Sequence, residues 1–227
     1  MNIPQHIVLF PDGNRRWAKQ KGLNTLEGHK QGYNNLLDFC EWCKNRGVKV
    51  LTAFGFSTEN WNRTKEEVDY LMKLLENGII KDLGRDNKEG VRVRIIGQKE
   101  RLPVSLQEAI RKAEEKTKNN DKLFLNLAIS YGGKWDILNA VKNIIKEGTP
   151  VEEIDEKLFE DHLSTAGLPN PDFIIRAGGE MRMSNFVLWQ AAYSELYFSP
   201  KFWPDFSEQD LDIALAEFDR RSRRFGK

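Results

Sequence analysis

The segment from His6 to Trp17 joins an apolar run of strand length directly to a dense polar turn. A continuous apolar run of this length is typical of a strand buried on both faces of a parallel sheet. The turn that follows supplies a carboxylate at Asp12, a glycine at Gly13 and two guanidinium groups at Arg15 and Arg16. In an open α/β sheet, ligands bind in the crevice outside the carboxyl ends of the strands. The segment therefore predicts a ligand site as well as a strand.

Two interpretations of this turn are open from the segment alone. A carboxylate at a strand end suits a divalent cation, and two arginines beside a glycine turn suit phosphate groups. The first interpretation is therefore a metal-assisted diphosphate site. The second is a structural turn, in which Asp12 caps the next helix and Arg15 and Arg16 are solvated.

The chain has 227 residues, and 40% of them are hydrophobic, which is enough for the core of one large domain. We therefore predict a single domain over residues 1–227. Its 35 Lys and Arg nearly balance its 34 Asp and Glu, so the chain lacks an overall positive field for nucleic acid or an anionic membrane. Any anion must be bound by a local cluster of cations.

No apolar run reaches the ~20 residues of a membrane span, and the amino terminus lacks a signal-peptide pattern. We therefore expect a soluble, cytoplasmic protein. The two cysteines, Cys40 and Cys43, have C-x-x-C spacing within a helical pattern. Because no second cysteine pair or His-x-x-x-His accompanies them, packing inside a helix is favoured over a metal or redox role.

Strand patterns alternate with helix patterns along the chain, which predicts an α/β fold with a mostly parallel central sheet covered by helices. Strands are expected at 6–10, 48–56, 91–97, 122–131 and 173–176, and helices at 28–46, 64–80, 105–119, 135–146, 151–163 and 207–224. The pair Asn77-Gly78 interrupts the second long helix. Glycine in a helix costs about 1 kcal/mol relative to alanine, and the sequence offers no firm explanation for it beyond a kink.

Three of the predicted strands end in polar clusters, at 12–17, 57–63 and 176–185. Because the carboxyl ends of parallel strands lie along one edge of a sheet, we expect the three clusters to converge there. Together they contain a carboxylate, an amide beside an aromatic ring at Asn60-Trp61, and at least five arginines. The Gly178-Gly179 turn adds backbone amides that suit a phosphate, and the surrounding apolar helices can house a hydrocarbon tail.

Several common site patterns are missing from the sequence. The phosphate-loop and dinucleotide patterns G-x-x-x-x-G-K-[ST] and G-x-G-x-x-G do not occur, which disfavours ATP and NAD. The absence of G-x-S-x-G disfavours a serine hydrolase. Of the three histidines, only His29 lies near a cluster, and a ligand role and a structural role are equally open for it.

Motifs along nearly the whole chain resemble those of the cis-prenyltransferase family. They are HI…DGNRRWA at 6–18, GH at 28–29, FSTENWNR at 56–63, YGGKWD at 131–136, IRAGGEMRMSNF at 175–186, ELYF at 195–198, WPDF at 203–206 and RFG at 224–226. The resemblance implies an α/β fold with a hydrophobic tunnel, Mg²⁺ as cofactor, and a homodimer. The implied reaction condenses isopentenyl diphosphate onto an allylic diphosphate, with farnesyl diphosphate as the expected primer. The implied product is a Z-polyprenyl diphosphate such as undecaprenyl diphosphate, a lipid-carrier precursor for cell-wall synthesis.

The same resemblance implies roles for individual residues. Asp12 would hold Mg²⁺ against the allylic diphosphate, Asn60 would assist proton removal from the condensing isopentenyl unit, and Glu195 matches a second metal-linked carboxylate. Segment 186–198 would lie partly in the dimer interface. The other implied substrate contacts are Gly13, Asn14, Arg15, Arg16, Trp17 and His29 at the allylic diphosphate; Ser57, Thr58, Glu59, Trp61 and Arg63 around Asn60; Arg176, Arg182, Met183 and Ser184 at the isopentenyl diphosphate; and Arg224 and Gly226, which would reach the partner subunit's site.

Five positions bear on how this chain differs from its relatives. Thr25 stands where many have an arginine, Met181 where a histidine is common, and Pro11 where methionine is usual. Gly55 is small at a position that influences product length, which argues against the shortest products. Tyr70 on the long helix would narrow the tunnel and argues the other way.

Two alternative functions stay within the same fold. One is a short-chain or branching prenyl diphosphate synthase. The other is a non-catalytic partner subunit, which is disfavoured because Asp12, Asn60 and Arg176 are all present. A neutral amide is a weak base, so the released diphosphate is an alternative proton acceptor to Asn60. No nucleic-acid partner is expected, and peripheral membrane association during product release stays open.

Overall fold

A parallel sheet of six strands lies at the centre of the computed structural model, which describes residues 2–83 and 90–221. In chain order the strands are β1 (His6–Phe10), β2 (Val50–Ser57), β3 (Val91–Ile96), β4 (Leu123–Tyr131), β5 (Phe173–Arg176) and β6 (Glu195–Phe198). Their order across the sheet is β3-β4-β2-β1-β5-β6, and every adjacent pair is parallel. The predicted parallel α/β sheet is confirmed.

Helices cover both faces of this sheet. They are α1 (Asn14–Gln20), α2 (Thr25–Asn45), α3 (Lys65–Gly78), α4 (Val104–Thr117), α5 (Gly133–Glu147), α6 (Glu156–Asp161) and α7 (Glu208–Arg220). Short 3₁₀ turns occupy Thr58–Asn62, Lys99–Arg101, Val151–Glu153 and Trp203–Asp205, and a π-helical turn, Ile79–Leu83, follows α3. Across residues 2–83 and 90–221, we find no helix with the length and apolarity needed to cross a membrane.

Strand β1 shows why its sequence is apolar throughout. Successive side chains of a strand point to opposite faces of a sheet. Ile7 and Leu9 lie in the larger core, which also includes side chains of α2, α3, α4 and α7. Val8 and Phe10 lie in a second cluster on the other face, together with Phe186. All four β1 side chains are at most 3% exposed, so both faces need apolar residues.

The element boundaries differ from the predictions in places that local chemistry explains. Helix α2 begins at Thr25 rather than residue 28, because the Asn24 side chain accepts a hydrogen bond from the Leu26 N–H and caps it. The last helix, predicted to reach residue 224, ends at Arg220, and residues 222–227 lie outside the described part. Strand β6 was not predicted, because its four residues lie within an apolar stretch that has no strand periodicity.

The two cysteines pack as predicted. Cys40 and Cys43 of α2 are free thiols buried in the larger core. Burial, the largest effect, raises the pKa of the Cys43 thiol well above its ordinary value. A protonated, buried thiol behaves as a small apolar side chain, so the C-x-x-C pair serves packing.

Candidate active site

The order of the strands brings the three polar clusters together. Strand β1 lies between β2 and β5, and these are the three strands that end in the clusters at 12–17, 57–63 and 176–185. All three run in the same direction. The predicted convergence at one edge of the sheet is confirmed.

Asp12 lies at the centre of this edge and is held in place from two sides. Its Oδ2 accepts a hydrogen bond from Arg176 Nη2 at 2.8 Å, and its Oδ1 accepts one from the Gly13 N–H at 2.6 Å and one from Arg16 Nη2 at 3.4 Å. The Asp12 side chain is 35% exposed, whereas that of Arg176 is 4% exposed. A buried arginine therefore fixes a carboxylate that faces solvent.

The structural-turn interpretation of Asp12 as a helix cap is wrong. The residue that caps α1 is Gly13, in the left-handed region at φ 100°, and no side chain accepts a hydrogen bond there. A Cβ on Gly13 would lie 2.7 Å from the ring of Phe202. Glycine is therefore needed both for the backbone conformation and for the close approach of Phe202.

The loop after β5 wraps around the other side of Arg176. Arg176 Nη1 donates to Ser184 Oγ at 2.8 Å and to the Arg182 carbonyl. Gly178 has φ 91°, and a Cβ there would lie 3.0 Å from the Asp12 carbonyl oxygen. Ser184 itself is in the left-handed region at φ 44°. Backbone strain outside glycine is uncommon and clusters at functional sites, which agrees with a ligand role for this loop.

A second carboxylate joins the two arginine clusters. Glu180 Oε1 lies 3.0 Å from Arg16 Nη1, and its Oε2 lies 2.6 Å from Arg182 Nη1. Arg16 follows β1 and Arg182 follows β5, so one carboxylate orients guanidiniums from both strand ends. Sequence reasoning missed Glu180, although its spacing of two residues from Arg182 was visible.

The cluster after β2 contains a capping box between Ser57 and Asn60. The Ser57 N–H donates to Asn60 Oδ1 at 3.0 Å, while the Ser57 side chain accepts from the Asn60 backbone. Asn185 Nδ2 donates to Glu59 Oε1 at 2.8 Å, which ties this turn to the loop after β5. The side chains of Asn60 and Ser184 line the same cavity, so the two strand ends present one surface.

Beside this edge, buried Glu67 of α3 organises three cationic or imidazole side chains. Its Oε1 lies 3.0 Å from His29 Nε2, 3.0 Å from Arg63 Nη1 and 3.8 Å from Arg15 Nε. Burial lowers the pKa of His29 and outweighs the hydrogen bond from Glu67 that raises it. Burial also lowers the pKa of Arg63. Sequence reasoning missed Glu67, although its i,i+4 spacing to Arg63 is the signal that could have found it.

Two cavities open at this edge and share Asp12, Asn14, His29 and Arg63. The first has a volume of about 610 Å³ and runs from these polar groups to leucines of α2, α3 and β4. The second has a volume of about 570 Å³ and is lined mainly by basic and polar groups. An apolar cavity suits a hydrocarbon chain and a cationic one suits phosphate groups. The two chemistries meet at Asp12.

The structure distributes the predicted site residues among these surfaces. The first cavity is lined by Asp12, Asn14, His29, Ser57, Glu59, Asn60, Arg63, Arg176 and Ser184, and the second by Asp12, Gly13, Asn14, Arg15, Arg16, His29 and Arg63. Trp17, Thr58, Trp61, Arg182 and Met183 line neither cavity. Trp17 donates instead to Asp205 at 2.8 Å, and Trp61 to Ser130 at 2.8 Å. Arg224 and Gly226 lie outside the described residues.

The positions that depart from the family pattern also fall in distinct places. Thr25 lines the second cavity, Gly55 lines the first, and Pro11 lines both. Met181 is 78% exposed. Tyr70, expected to narrow the tunnel, lines neither cavity, whereas Tyr33 of α2 lines the first. Of these two tyrosines, Tyr33 and not Tyr70 lines the apolar cavity.

The structure does not bring Glu195 to Asp12 within one chain. Glu195 pairs in register with Phe173 at the amino end of β5 and β6, and it forms an ion pair with Arg221 at 3.0 Å. Asp12 follows the opposite, carboxyl end of β1. At about 3.3 Å per strand residue, the two positions are separated by roughly 10 Å or more along the sheet. The metal role of Glu195 stays a prediction.

The donor set around Asp12 suits one kind of Mg²⁺ site. Within residues 2–83 and 90–221, no group of three or more His, Cys, Asp or Glu is placed to hold a metal ion. Mg²⁺ is commonly held by one or two carboxylates together with substrate phosphates, and Asp12 offers one such carboxylate beside a cationic cavity. In the described part of the chain, Asn14 Oδ1 and Arg176 Nε are buried without a hydrogen-bond partner. The residues present therefore fit an Mg²⁺ ion that Asp12 would hold together with substrate phosphates, and do not fit an ion held by protein ligands alone.

Comparison with known proteins identifies close relatives. A family model described as "Putative undecaprenyl diphosphate synthase" matches residues 10–226. The chain is 50% identical to "(2Z,6Z)-farnesyl diphosphate synthase CPT6, chloroplastic" of Solanum lycopersicum, covering 99% of this chain and 79% of that protein. It is 43% identical to "Ditrans,polycis-undecaprenyl-diphosphate synthase ((2E,6E)-farnesyl-diphosphate specific)" of Legionella pneumophila (strain Paris), covering 99% and 96%.

A solved structure extends the similarity to three dimensions. The crystal structure of lavandulyl diphosphate synthase from Lavandula x intermedia, in complex with dimethylallyl diphosphate, is similar with a TM-score of 0.94. The two chains are 40% identical, and the match covers 99% of each. Both the sequence and the whole fold are therefore shared with these relatives.

Proposed function

Because this chain belongs to the cis-prenyltransferase family, we propose that it joins isopentenyl diphosphate to an allylic diphosphate such as farnesyl diphosphate. The product is a Z-polyprenyl diphosphate such as undecaprenyl diphosphate. The observation that carries the proposal is the meeting of a cationic cavity and an apolar cavity at the Asp12–Arg176 pair.

The bond changes balance without any further reactant. The bond between the allylic carbon and its diphosphate oxygen breaks, and the electron pair leaves on the diphosphate. The double bond of isopentenyl diphosphate supplies the electrons of the new carbon–carbon bond. One proton is then lost from the isopentenyl unit, which restores a double bond.

In this proposal the basic residues of α1 hold the leaving diphosphate. Arg15 and Arg16 project from the helix whose amino end faces the second cavity. Guanidiniums and helix N–H groups stabilise charge that develops on a leaving group. Asp12 would hold Mg²⁺ together with the substrate phosphates, and the ion would supply further positive charge there.

Arg176 and the loop after β5 would hold the second diphosphate. Arg176 Nε is buried without a partner, and Ser184 and Arg182 lie within hydrogen-bond distance of the same guanidinium. Fixing both substrates at adjacent strand ends lowers the barrier by proximity. The Asn60 oxygen already accepts the Ser57 N–H. We therefore assign Asn60 a positioning role and give the proton to the released diphosphate.

A short-chain synthase is a second candidate, and the size of the apolar cavity favours it. Its volume of about 610 Å³ lies within the roughly 300–1,000 Å³ of sites that enclose drug-sized ligands. The relative in Solanum lycopersicum is named for a three-unit product, farnesyl diphosphate. Product length distinguishes the two candidates, since the chemistry of each condensation is the same.

We also propose a homodimer, on the support of exposed apolar side chains. Tyr193 is 72% exposed and Leu196 is 37% exposed within the predicted interface segment 186–198. On α5, Leu138 and Ile145 are 58% and 72% exposed. Exposed apolar side chains are stabilised when a second copy removes them from water. A cytoplasmic location and peripheral membrane association during product release stay predictions.

The test is incorporation of radiolabelled isopentenyl diphosphate with Mg²⁺ and farnesyl diphosphate, with products sized by thin-layer chromatography. We expect extended products with cis double bonds. Asp12→Ala should lower incorporation by about 10²–10³-fold, the range for removing one preorganised group that stabilises charge. Asp69→Ala, which removes an exposed carboxylate paired with Lys65, is the matched control. Equal turnover by the wild type and Asp12→Ala would contradict the assignment of Asp12.

A further inference from the structure

Gly78, predicted to interrupt a longer helix, is the last residue of α3, and a contact with α2 explains why it is a glycine. A Cβ built on Gly78 would lie 2.3 Å from Tyr33 Oη and 2.4 Å from Tyr33 Cζ. Real Cβ atoms do not approach other atoms so closely, so any larger residue at 78 would displace the Tyr33 ring. Glycine in a helix is destabilising relative to alanine. Here it makes room for an aromatic side chain that crosses from the neighbouring helix.

The contact lies at the carboxyl end of α3, on the side that faces α2. At the polar end, His29 of α2 meets Glu67 of α3 at 3.0 Å. Tyr33 is about one turn beyond His29, whereas Gly78 is about three turns beyond Glu67. The Tyr33 side chain therefore reaches from the first half of α2 to the last residue of α3. Leu71, Leu74 and Leu75 lie between Glu67 and Gly78 on α3 and line the first cavity together with Tyr33.

Other aromatic rings of this cavity are held by further rings. Phe54 stacks on Phe186 with centroids 4.0 Å apart, and Phe56 packs edge-on against Trp61 at 5.0 Å. They come from β2, at the floor of the cavity. Tyr33 is the aromatic lining residue that comes from α2, and it reaches the point where α3 gives way to the π-helical turn Ile79–Leu83. Such turns are frequent at functional sites.

We propose that Tyr33, seated against Gly78, forms the end wall of the tunnel and limits how many five-carbon units the product can gain. The inference rests on the proposed function and names the residue that sets its product length. A prenyl chain fixed by its diphosphate at Asp12 extends past the α3 leucines until its free end meets the ring. A further unit then has to displace the ring from its seat on Gly78, and forcing extra carbons into a packed space is unfavourable.

Tyr33→Ala should therefore lengthen the product. An engineered cavity of about 150 Å³ is large enough to bind benzene, so removing the phenol ring should make room for about one five-carbon unit or more. Tyr33→Phe keeps the ring and should keep the wild-type product length. Tyr70→Ala, which changes a tyrosine of α3 outside both cavities, is the matched control and should also keep it.

The products are sized by thin-layer chromatography after incorporation of radiolabelled isopentenyl diphosphate, and thermal melting checks that each variant folds. If Tyr33→Ala unfolds, Tyr33→Leu replaces it, because it removes the ring but less side-chain volume. The same length distribution for a folded Tyr33→Ala or Tyr33→Leu and an active wild type would overturn the inference and leave the proposed function standing. A wild type that incorporates nothing would overturn the proposed function.

A binding measurement tests the wall without turnover. Non-hydrolysable thio-analogues of allylic diphosphates with two, three and four five-carbon units are titrated calorimetrically into each protein. For the wild type, affinity should stop rising at the length that reaches Tyr33, and Tyr33→Ala should extend the rise by one unit. Parallel length dependence in the wild type and Tyr33→Ala would overturn the inference.

Discussion

The amino ends of the parallel strands form one edge of the sheet, the amino edge, and their carboxyl ends form the opposite, carboxyl edge. Both edges bury polar side chains, but the contacts of these side chains differ. At the amino edge, His6 is 1% exposed, and its ring nitrogens lie 2.7 Å from the Pro169 carbonyl oxygen and 2.8 Å from Thr52 Oγ1. Asp172 accepts the backbone N–H groups of Gln5 and His6. These contacts join β1 to β2 and to the segment leading into β5. Asn126 Nδ2 also donates to Thr52 Oγ1, although Asn126 Oδ1 is buried without a partner in the described part of the chain.

At the carboxyl edge, some buried polar atoms have no hydrogen-bond partner. Arg176 binds Asp12 and Ser184, yet its Nε has no partner in the described part of the chain, and neither has Asn14 Oδ1. Buried polar groups are usually satisfied. Asn14 Oδ1 lies against Gly32 of α2, whereas Arg176 lines the first cavity, so its guanidinium is the group placed to meet a ligand. The two edges therefore differ in access to solvent: Arg176 lines an open cavity, whereas His6, Thr52 and Asn126 line neither cavity and can contribute only to stability.

Arg176→Lys should impair substrate binding at the carboxyl edge. Among the substitutions that compare the two edges, it should have the largest effect. Lysine can still pair with Asp12, but it cannot reproduce the planar fork that also reaches Ser184 and a diphosphate. We expect kcat/KM for isopentenyl diphosphate to fall about 100-fold, the loss of one or two hydrogen bonds between charged groups at ~1.5–3 kcal/mol each. Steady-state kinetics measures this, with the melting temperature as the control. A variant that melts much lower but keeps its kinetics would refute the division between the edges.

Acidification should lower the free energy of unfolding through His6 at the amino edge. Burial, the largest cause, lowers the pKa of His6 to about 4 from its ordinary 6.5. Between these values the unfolded chain binds a proton that the folded chain does not, so the free energy of unfolding falls as the pH drops. From pH 7 to pH 5 the expected loss from His6 is about 2 kcal/mol.

Urea unfolding of the wild type and His6→Gln at pH 7 and pH 5 measures this effect. His6→Gln should be less stable at pH 7 but should lose less stability on acidification. Its kcat and KM at pH 7 should match the wild type, because His6 touches neither cavity. If both proteins lost the same stability between the two pH values, His6 would not be the group that titrates.

Glu67→Gln should have the smallest effect of these substitutions. It tests whether a carboxylate near the carboxyl edge acts on substrate binding only by positioning other side chains. Glu67 lies near the carboxyl edge, but its contacts are with protein groups, namely His29, Arg63 and Arg15. Losing the charge should loosen these groups and raise KM for the allylic diphosphate about fivefold, equivalent to ~1 kcal/mol, with kcat little changed. Glu66→Gln, an exposed neighbour in the same helical turn, should leave KM unchanged. Equal effects of the two substitutions would show that Glu67 positions nothing.

Much of the fold followed from the sequence because its signals are local. The apolar run before Asp12 and the polar clusters after β1, β2 and β5 were enough to predict one parallel sheet with a site at its carboxyl edge. Strand β6 was missed because a four-residue edge strand inside the apolar stretch 186–198 has no distinctive period.

The contacts that shape the site were harder to predict, because they join residues far apart in the chain. Periodicity assigns Tyr33 and Gly78 to helices but cannot show that one fits against the other. The strand register places Glu195 at the opposite edge from Asp12 within one chain, a separation that the motifs do not show; its metal role stays a prediction. Long-range packing and register are properties of the assembled sheet, and no local pattern encodes them.

The turn that carries Asp12 is supported by segment 201–203, which follows β6. The Trp203 N–H donates to the Asp12 carbonyl oxygen at 2.9 Å, the Gly178 N–H donates to the Lys201 carbonyl at 2.7 Å, and the Phe202 ring packs on Gly13. Asp12 and this supporting segment are far apart in the sequence. The Asp12 turn is therefore held in its observed position only when segment 201–203 has docked against it, so the carboxylate is fixed by long-range packing and not by its own turn alone.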